Sequence, residues 1–354
     1  MRSKEKIVII GGGLSGLTLA YLLSKRDINT TVLEASSRLG GRIQTIKGAM
    51  GTPLELGATW FSDMHPNVLS FISELGLRRY PQFSGGTSLF QTRSFEPPQK
   101  FFVPEAEAPS YRVAGGTQLL IDTLAQKLPD ESIRLNTKVT AIKETENGIA
   151  VEMVDGKAMD ADKVIICIPP QLVATEIVFS PKLPDDIRAV LPNVQTWMAG
   201  AIKFVLEYTA PFWRNGGYSG MLYSHAGIVT EMYDHTNFEV DKFGFTGFLN
   251  GGAVAYSQEV RKELVLHQLT DLMGEEALTP VAYFDKIWTD ELVLAGNQPV
   301  QRPHQNNGHP LLQLGYMNDR IFFAGTETAM AFPGYMEGAI TAAQSAANKI
   351  CAKG

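Results

Sequence analysis

The chain has 354 residues, of which 44% are hydrophobic and 19% charged, so disorder is excluded for the bulk of it. Its 31 basic and 37 acidic residues leave a net charge of −6, without the basic footprint that general nucleic-acid or anionic-membrane binding needs. Two cysteines are too few for a disulfide scaffold or a cysteine-based zinc site, and no apolar run is long enough for a membrane span.

Residues 6–10 read as a buried strand, 14–23 as a helix and 30–33 as a second strand ending at Glu34. This strand–turn–helix–strand unit opens a doubly wound sheet. Arg2, Lys4 and Lys6 before an apolar run mimic a secretory signal, but the run breaks at Gly11-Gly12-Gly13 and continues as a helix. Residues 43–60 read as irregular, and 65–75 as a helix started by Pro66 and stopped by Gly76. Residues 81–112, with Pro81, Pro97, Pro98, Pro104 and Pro109, read as a loop-rich crossing with short strands.

A helix follows Gly115-Gly116, and strands follow around 134–143, 149–153 and 163–168, with a hairpin turn at Asp155-Gly156 and a stop at Pro169-Pro170. Residues 198–208, 219–233 and 243–249 read as an antiparallel sheet, 258–273 as an amphipathic helix and 281–288 as a strand. The segment 291–310 reads as irregular, 320–324 as a buried strand and 338–351 as a small-residue helix. The expected fold class is α/β: a doubly wound, Rossmann-like domain with an inserted, mostly antiparallel second domain of α+β character. The expected division gives 1–80, 112–193 and 292–354 to the first and 81–111 with 194–291 to the second.

Three motifs carry chemistry. In Gly11-x-Gly13-x-x-Gly16 the first glycine permits the tight turn, the second lets a diphosphate approach the backbone, and the third lets helix pack on strand. The amides at the helix N-terminus then face the diphosphate. Glu34 suits a carboxylate that accepts from both ribose hydroxyls of an adenosine, and it would repel a 2′-phosphate. Arg38-Leu39-Gly40-Gly41-Arg42 places guanidinium groups beside a glycine pair, which adds charge neutralisation for a diphosphate. Near the end, Phe322-Phe323-Ala324-Gly325-Thr326-Glu327 and Gly334-Tyr335-Met336-Glu337-Gly338-Ala339 bring a second helix N-terminus, whose dipole would stabilise negative charge on a redox ring.

Lys203 is the only charged residue between Met198 and Leu206. It reads either as a buried lysine that is paired or used, or as an edge lysine snorkelling to solvent. The six histidines show no metal-ligand spacing and read as surface or core residues, and no metal is expected. No Gly-x-Ser-x-Gly nucleophile motif is present.

Together these motifs resemble the FAD-dependent amine oxidases, the group that holds monoamine and polyamine oxidases. The matching segments are 8–22, 34–42, Glu55-Leu56-Gly57-Ala58-Thr59-Trp60, Gly115-Gly116, 164–170, 201–213 and 322–347, in order along nearly the whole chain. The resemblance implies a two-domain fold with an FAD-binding domain and a substrate domain facing the flavin. It places FAD contacts at Gly11, Gly13, Ser15, Gly16, Glu34, Arg38, Gly41, Arg42, Gly57, Ala58, Thr59, Val139, Thr326, Glu327 and Met336. It implies that Lys203 holds a water near the flavin N5 and that Tyr335 guides the substrate amine, with Trp60 and Phe332 as further cavity residues.

Some positions depart from the pattern. The stretch Ala295–Val300 lacks the cysteine that attaches FAD in monoamine oxidases, so FAD is expected to bind non-covalently. The second aromatic of the family's pair is missing near Gln298, and residues 81–112 are shorter than the family's helical insertion. The expected function is oxidation of an amine by hydride transfer from its α-carbon to the flavin N5. The imine is then hydrolysed, and O2 or another acceptor reoxidises the flavin. A C–C desaturase of the same fold and a flavin-binding interaction module are the alternatives. The expected partners are a small-molecule amine and an electron acceptor, with no nucleic acid and no membrane. A homodimer and a cytoplasmic location complete the expectations.

Overall fold

The computed structural model describes residues 5–104, 108–288 and 304–352. At its centre is a six-stranded sheet in the order Gly315–Tyr316, Ile321–Phe323, Lys163–Ile166, Ile7–Ile10, Thr30–Leu33, Ile133–Arg134. Every neighbouring pair is parallel except the first. All four residues of Ile7–Ile10 are buried, because this strand is covered on both faces, and so it reads as an unbroken apolar run. Its alternate side chains enter two cores. Ile7 and Ile9 share one with residues of the helices Leu14–Ser24, Gln118–Gln126 and Met336–Cys351. Val8 and Ile10 share the other with a four-stranded sheet ordered Ala158–Ala161, Gly148–Met153, Val139–Thr145, Val178–Ser180. The α/β class expected from sequence is the class observed, in three layers.

A second, seven-stranded sheet runs Ala282–Ile287, Ile202–Tyr208, Phe243–Leu249, Val229–Asp234, Tyr218–Ser224, Gly86–Gln91, Gln99–Val103. It is antiparallel except where Tyr218–Ser224 meets Gly86–Gln91. One face packs Phe204, Leu206 and Tyr208 against Val265, Leu269 and Leu272 of the helix Gln258–Met273. The other face carries Lys203, Val205 and Glu207 towards the segment 52–59, where Val205 packs on Leu54 and Leu56. Among the described residues no helix is long and apolar enough to cross a membrane, and no cluster of His, Cys, Asp or Glu is arranged to hold a metal ion.

Three segments differ from the sequence expectation. Residues 43–60 contain a short hairpin, Thr45–Lys47 with Pro53–Glu55. Residues 81–112 supply the last two strands at one end of the large sheet, Gly86–Gln91 and the edge strand Gln99–Val103, because Leu89 reaches its core while Pro97 and Pro98 sit in the turn. Pro170 does not only end a strand: it is the first residue of the helix Pro170–Glu176, where its missing N–H costs no hydrogen bond.

Asp234 ties the second sheet to its flanking loops. Its buried carboxylate accepts from Arg214 Nε at 2.7 Å and Nη2 at 2.8 Å, from Trp213 Nε1 at 2.7 Å and from the Thr236 amide at 2.9 Å. Removing one member of a buried, hydrogen-bonded ion pair leaves the other charge uncompensated. Asp234→Asn is therefore expected to cost about 3–5 kcal/mol, read as a lower urea midpoint at an unchanged slope. An unchanged midpoint would contradict this account.

Candidate functional site

The C-terminal ends of the parallel strands open into a cleft of ≈ 410 Å³. Its floor is built by glycines. Gly11 has φ +109°, and a Cβ there would stand 2.8 Å from Ile168 Cγ2. A Cβ on Gly16 would stand 2.0 Å from the Gly11 carbonyl oxygen, so only glycine lets the helix Leu14–Ser24 lie this close to the first strand. Gly13 differs. Its nearest neighbours to an added Cβ are the Gly40 oxygen at 3.9 Å and Gly41 Cα at 4.0 Å. Protein packing does not demand glycine at this point; the open space lies on the cleft side, where a ligand backbone would need it. The first amide bonded back within the helix is Leu17 N, to Gly13 O at 3.0 Å, so the preceding turn of amides is available to an anion.

The charged groups are held in place. Glu34 accepts from the Gly12 amide at 2.7 Å and from the Ser36 amide and hydroxyl at 2.8 Å each. Arg38 donates to the carbonyls of Gly41 at 2.8 Å and Ile43 at 3.1 Å, bracing a loop turned by Gly40 and Gly41, both at positive φ. Arg42 lies 2.7 Å from Glu327. Glu327 is 1% exposed; its Oε1 pairs with Arg42, and its Oε2 accepts no hydrogen bond among the described residues. A buried carboxylate with spare acceptor capacity beside this cleft fits a ligand that brings hydroxyl or N–H donors. Thr326 shapes the adjoining loop: its hydroxyl donates to Tyr335 O and accepts from the Gly334 amide, each at 2.9 Å.

Of the residues expected at the site, Gly11, Gly13, Ser15, Glu34, Arg38, Gly41, Arg42, Ala58, Val139, Thr326, Tyr335 and Met336 line this one cleft. Gly16, Gly57, Thr59, Glu327 and Lys203 stand behind its wall and support residues that line it. The expectation of a missing cysteine and aromatic within 295–300 lies outside the described residues.

Lys203 is 2% exposed, so it is buried rather than snorkelling. Its Nζ donates to Gly57 O at 2.7 Å and to Thr59 Oγ1, and it lies 4.8 Å from the centre of the Trp60 ring. Loss of solvent lowers its pKa to about 7, partly offset by the Glu55 carboxylate. Burial in turn raises Glu55, which is steadied by the Thr117 amide at 2.6 Å and the Thr45 hydroxyl at 2.9 Å. An amine poised near neutrality can hold or pass a proton where an ordinary lysine cannot.

The structure also gathers groups that sequence reasoning did not. Tyr335, 40% exposed, stacks between His65 at 6.2 Å and His304 at 5.8 Å, and Trp197 stacks on His304 at 4.4 Å. Burial lowers the His65 pKa, which favours its neutral ring. Trp288 lines the cleft with its indole N–H donating to Leu56 O at 2.9 Å. These residues come from distant segments, and nothing in their local spacing announces the meeting.

A family model described as flavin containing amine oxidoreductase matches residues 14–101 and 83–351. The chain is 25% identical to a probable flavin-containing monoamine oxidase A of Dictyostelium discoideum, over 96% of each chain. It is 26% identical to the flavin-containing amine oxidase B of Homo sapiens, covering 99% of this chain and 86% of that one. In fold it is similar to a putrescine oxidase bound to putrescine, with a TM-score of 0.85, 22% identity and coverage of 98% and 99%. A cyclohexylamine oxidase from Brevibacterium oxydans IH-35A gives a TM-score of 0.86 at 20% identity, covering 99% of both chains.

The lysine can be tested without any ligand. Its folded pKa, about 7, lies below the ordinary 10.5, so between these values the unfolded chain holds a proton that the folded chain has released. Wild-type stability is therefore expected to rise relative to Lys203→Met as pH increases from about 7 to about 9. Urea midpoints that run parallel across this range would show that Lys203 titrates normally.

Proposed function

The chain belongs to the flavin containing amine oxidoreductases, FAD-dependent enzymes, and from that premise we propose that it oxidises a small amine to the imine, which water then hydrolyses. The observation that carries this reading is one continuous cleft that runs from Glu34, past the glycine turn and Arg42, to Thr326 and Tyr335. A dinucleotide needs a ribose acceptor at one end, charge neutralisation in the middle and a polar seat for its ring at the other. Glu34 would accept from the adenosine ribose. The amides after Gly13 and the Arg42 guanidinium would face the diphosphate. Glu327, with one carboxylate oxygen left over from its Arg42 pair, and the Thr326–Met336 loop would face the flavin side.

When bound, FAD supplies the two-electron acceptor for the amine's α-C–H bond. The chain's own residues would orient the amine and manage water. Tyr335 presents a ring at the cleft, stiffened by the histidines stacked beside it. Lys203, anchored on Gly57 and Thr59, would hold a water against the cleft wall at Ala58. FAD is held non-covalently in this reading. Cys167 lines the cleft, but burial pushes its thiol up to about 12, so it stays protonated and unreactive. Cys351 sits at the far end of the terminal helix. O2 or another acceptor takes the electrons onward.

The experiment is an anaerobic titration of the FAD-loaded protein with a panel of amines, followed by visible absorbance. Bleaching by one amine class is the expected outcome. A flavin spectrum that no amine bleaches would remove amine oxidation and leave C–C desaturation or binding alone. In stopped flow, Lys203→Met is expected to slow flavin reduction or reoxidation by about 10²-fold while FAD remains bound. Equal rates in both half-reactions would sink the role given to the lysine.

A further inference from the structure

The face of the large sheet that carries Lys203 also carries an acid, Glu231, that forms no ion pair among the described residues. Lys203 lies opposite Phe248, Phe248 opposite Glu231, Glu231 opposite Tyr223, and Tyr223 opposite Phe90. Cross-strand neighbours share a face, so these side chains form one row starting at the lysine. Tyr233, two residues along from Glu231, stands on the same face beside Thr246, whose hydroxyl donates to Glu55 O. Trp60 closes the row from the opposite side. Its ring lies 5.1 Å from Tyr233, and its indole N–H is fixed on Gln82 Oε1 at 2.8 Å.

Glu231 is half-buried on this aromatic floor. Its carboxylate accepts from the Tyr233 hydroxyl, which meets the Tyr223 hydroxyl at 2.6 Å. No lysine or arginine forms an ion pair with it among the described residues. Lys203 Nζ is already committed to Gly57 and Thr59 and leans over Trp60 and Phe248. An acid with no ion-pair partner among the described residues, in a row of aromatic side chains with only Lys203 as a nearby charge, is a site for an organic cation. Two strand spacings separate the backbone of Glu231 from that of Lys203, roughly 10 Å.

We infer that Glu231, set among Trp60, Tyr223, Tyr233 and Phe248, binds the distal ammonium of a diamine whose other nitrogen is presented for oxidation. The inference rests on the amine-oxidising reading and adds the substrate class. A carboxylate there attracts a second positive charge, and the aromatic floor shields the connecting methylenes from water. A monoamine with an alkyl tail would instead leave the acid unpaired on a surface it must desolvate.

The test compares α,ω-diamines of increasing length with monoamines of equal length on the FAD-loaded protein. The ratio of kcat/KM for diamine over monoamine is expected to peak at one length. It is expected to fall about tenfold or more in Glu231→Gln, through KM. Glu231→Asp, which keeps the charge, should retain most of the preference. Calorimetry with bis-quaternary ammonium alkanes, which cannot be oxidised, reads the site without turnover. Their affinity should drop in Glu231→Gln more than that of mono-quaternary analogues. An unchanged diamine-to-monoamine ratio, or equal loss of both quaternary ligands, overturns the assignment. If no amine bleaches the flavin while the calorimetric difference persists, the cation site stands and the amine-oxidising reading falls.

Discussion

The tightest glycine approach among the described residues is that of Gly16 to the Gly11 carbonyl, where a side chain would stand 2.0 Å from the oxygen. That contact presses the first helix onto the central strand and aims its N-terminus along the strand ends. Because the neighbouring strands are parallel, their ends gather at the same edge: Glu34 beside the Gly12 amide, Cys167 and Ile168 beside Gly11. A helix terminus able to receive an anion and a carboxylate placed to accept from a ribose, the roles proposed for them, thus arrive together as a consequence of packing. Ser15 reinforces this from the other side, since its hydroxyl donates to Ala324 O after the strand Ile321–Phe323. The terminal loop with Thr326 and Tyr335 is anchored by the same close approach.

A second layer of order comes from charges buried at the joins between elements. Glu207 accepts from the amides of Met50 and Thr52, Lys203 donates to Gly57 O, and Glu55 receives the Thr117 amide. Buried polar groups of this kind are costly when unpaired, so each bond fixes a register between sheet and hairpin. His235 belongs to the same seam. Its Nε2 accepts from the Glu55 amide at 3.1 Å, which leaves the proton on Nδ1, and burial keeps the ring neutral. The lysine that faces the cleft wall has its basicity lowered chiefly by burial in this seam, with the Glu55 carboxylate opposing the shift. Its reduced pKa reflects its burial between the large sheet and the segment 57–59.

This division of labour matches the chemistry. In the proposed reading, the parallel sheet supplies a rigid cradle whose residues would bind and orient the cofactor, which would carry the redox step. The antiparallel sheet presents side chains across a face, and its aromatic row with one acid can select what approaches. Its edge hairpin, residues 86–103, is short and leaves Phe95 and Phe102 exposed. Selectivity on this side is therefore a matter of which side chains stand on the face, and Glu231 is the one acid in the row beside Lys203.

The sequence by itself determined the cradle. Gly11, Gly13, Gly16, Glu34 and the Arg38–Arg42 loop lie within one strand–helix–strand unit, where local geometry dictates residue type, so spacing was enough to read them. The terminal Thr326–Met336 motif was legible through family resemblance, and its residues do reach the same cleft. Tertiary structure alone decided the rest. The alternation of residues 202–208 left Lys203 open between an edge and an interior, and only pairing on both sides by Phe243–Leu249 and Ala282–Ile287 buries it. The edge hairpin was obscured by its prolines, because strand pairing there depends on a partner more than 100 residues away in sequence. The stack of His65, Trp197 and His304 around Tyr335, and the row that brings Glu231 beside Lys203, are contacts between distant segments. Periodicity reports which face a side chain takes, but what stands opposite that face is fixed only when the sheets close on each other.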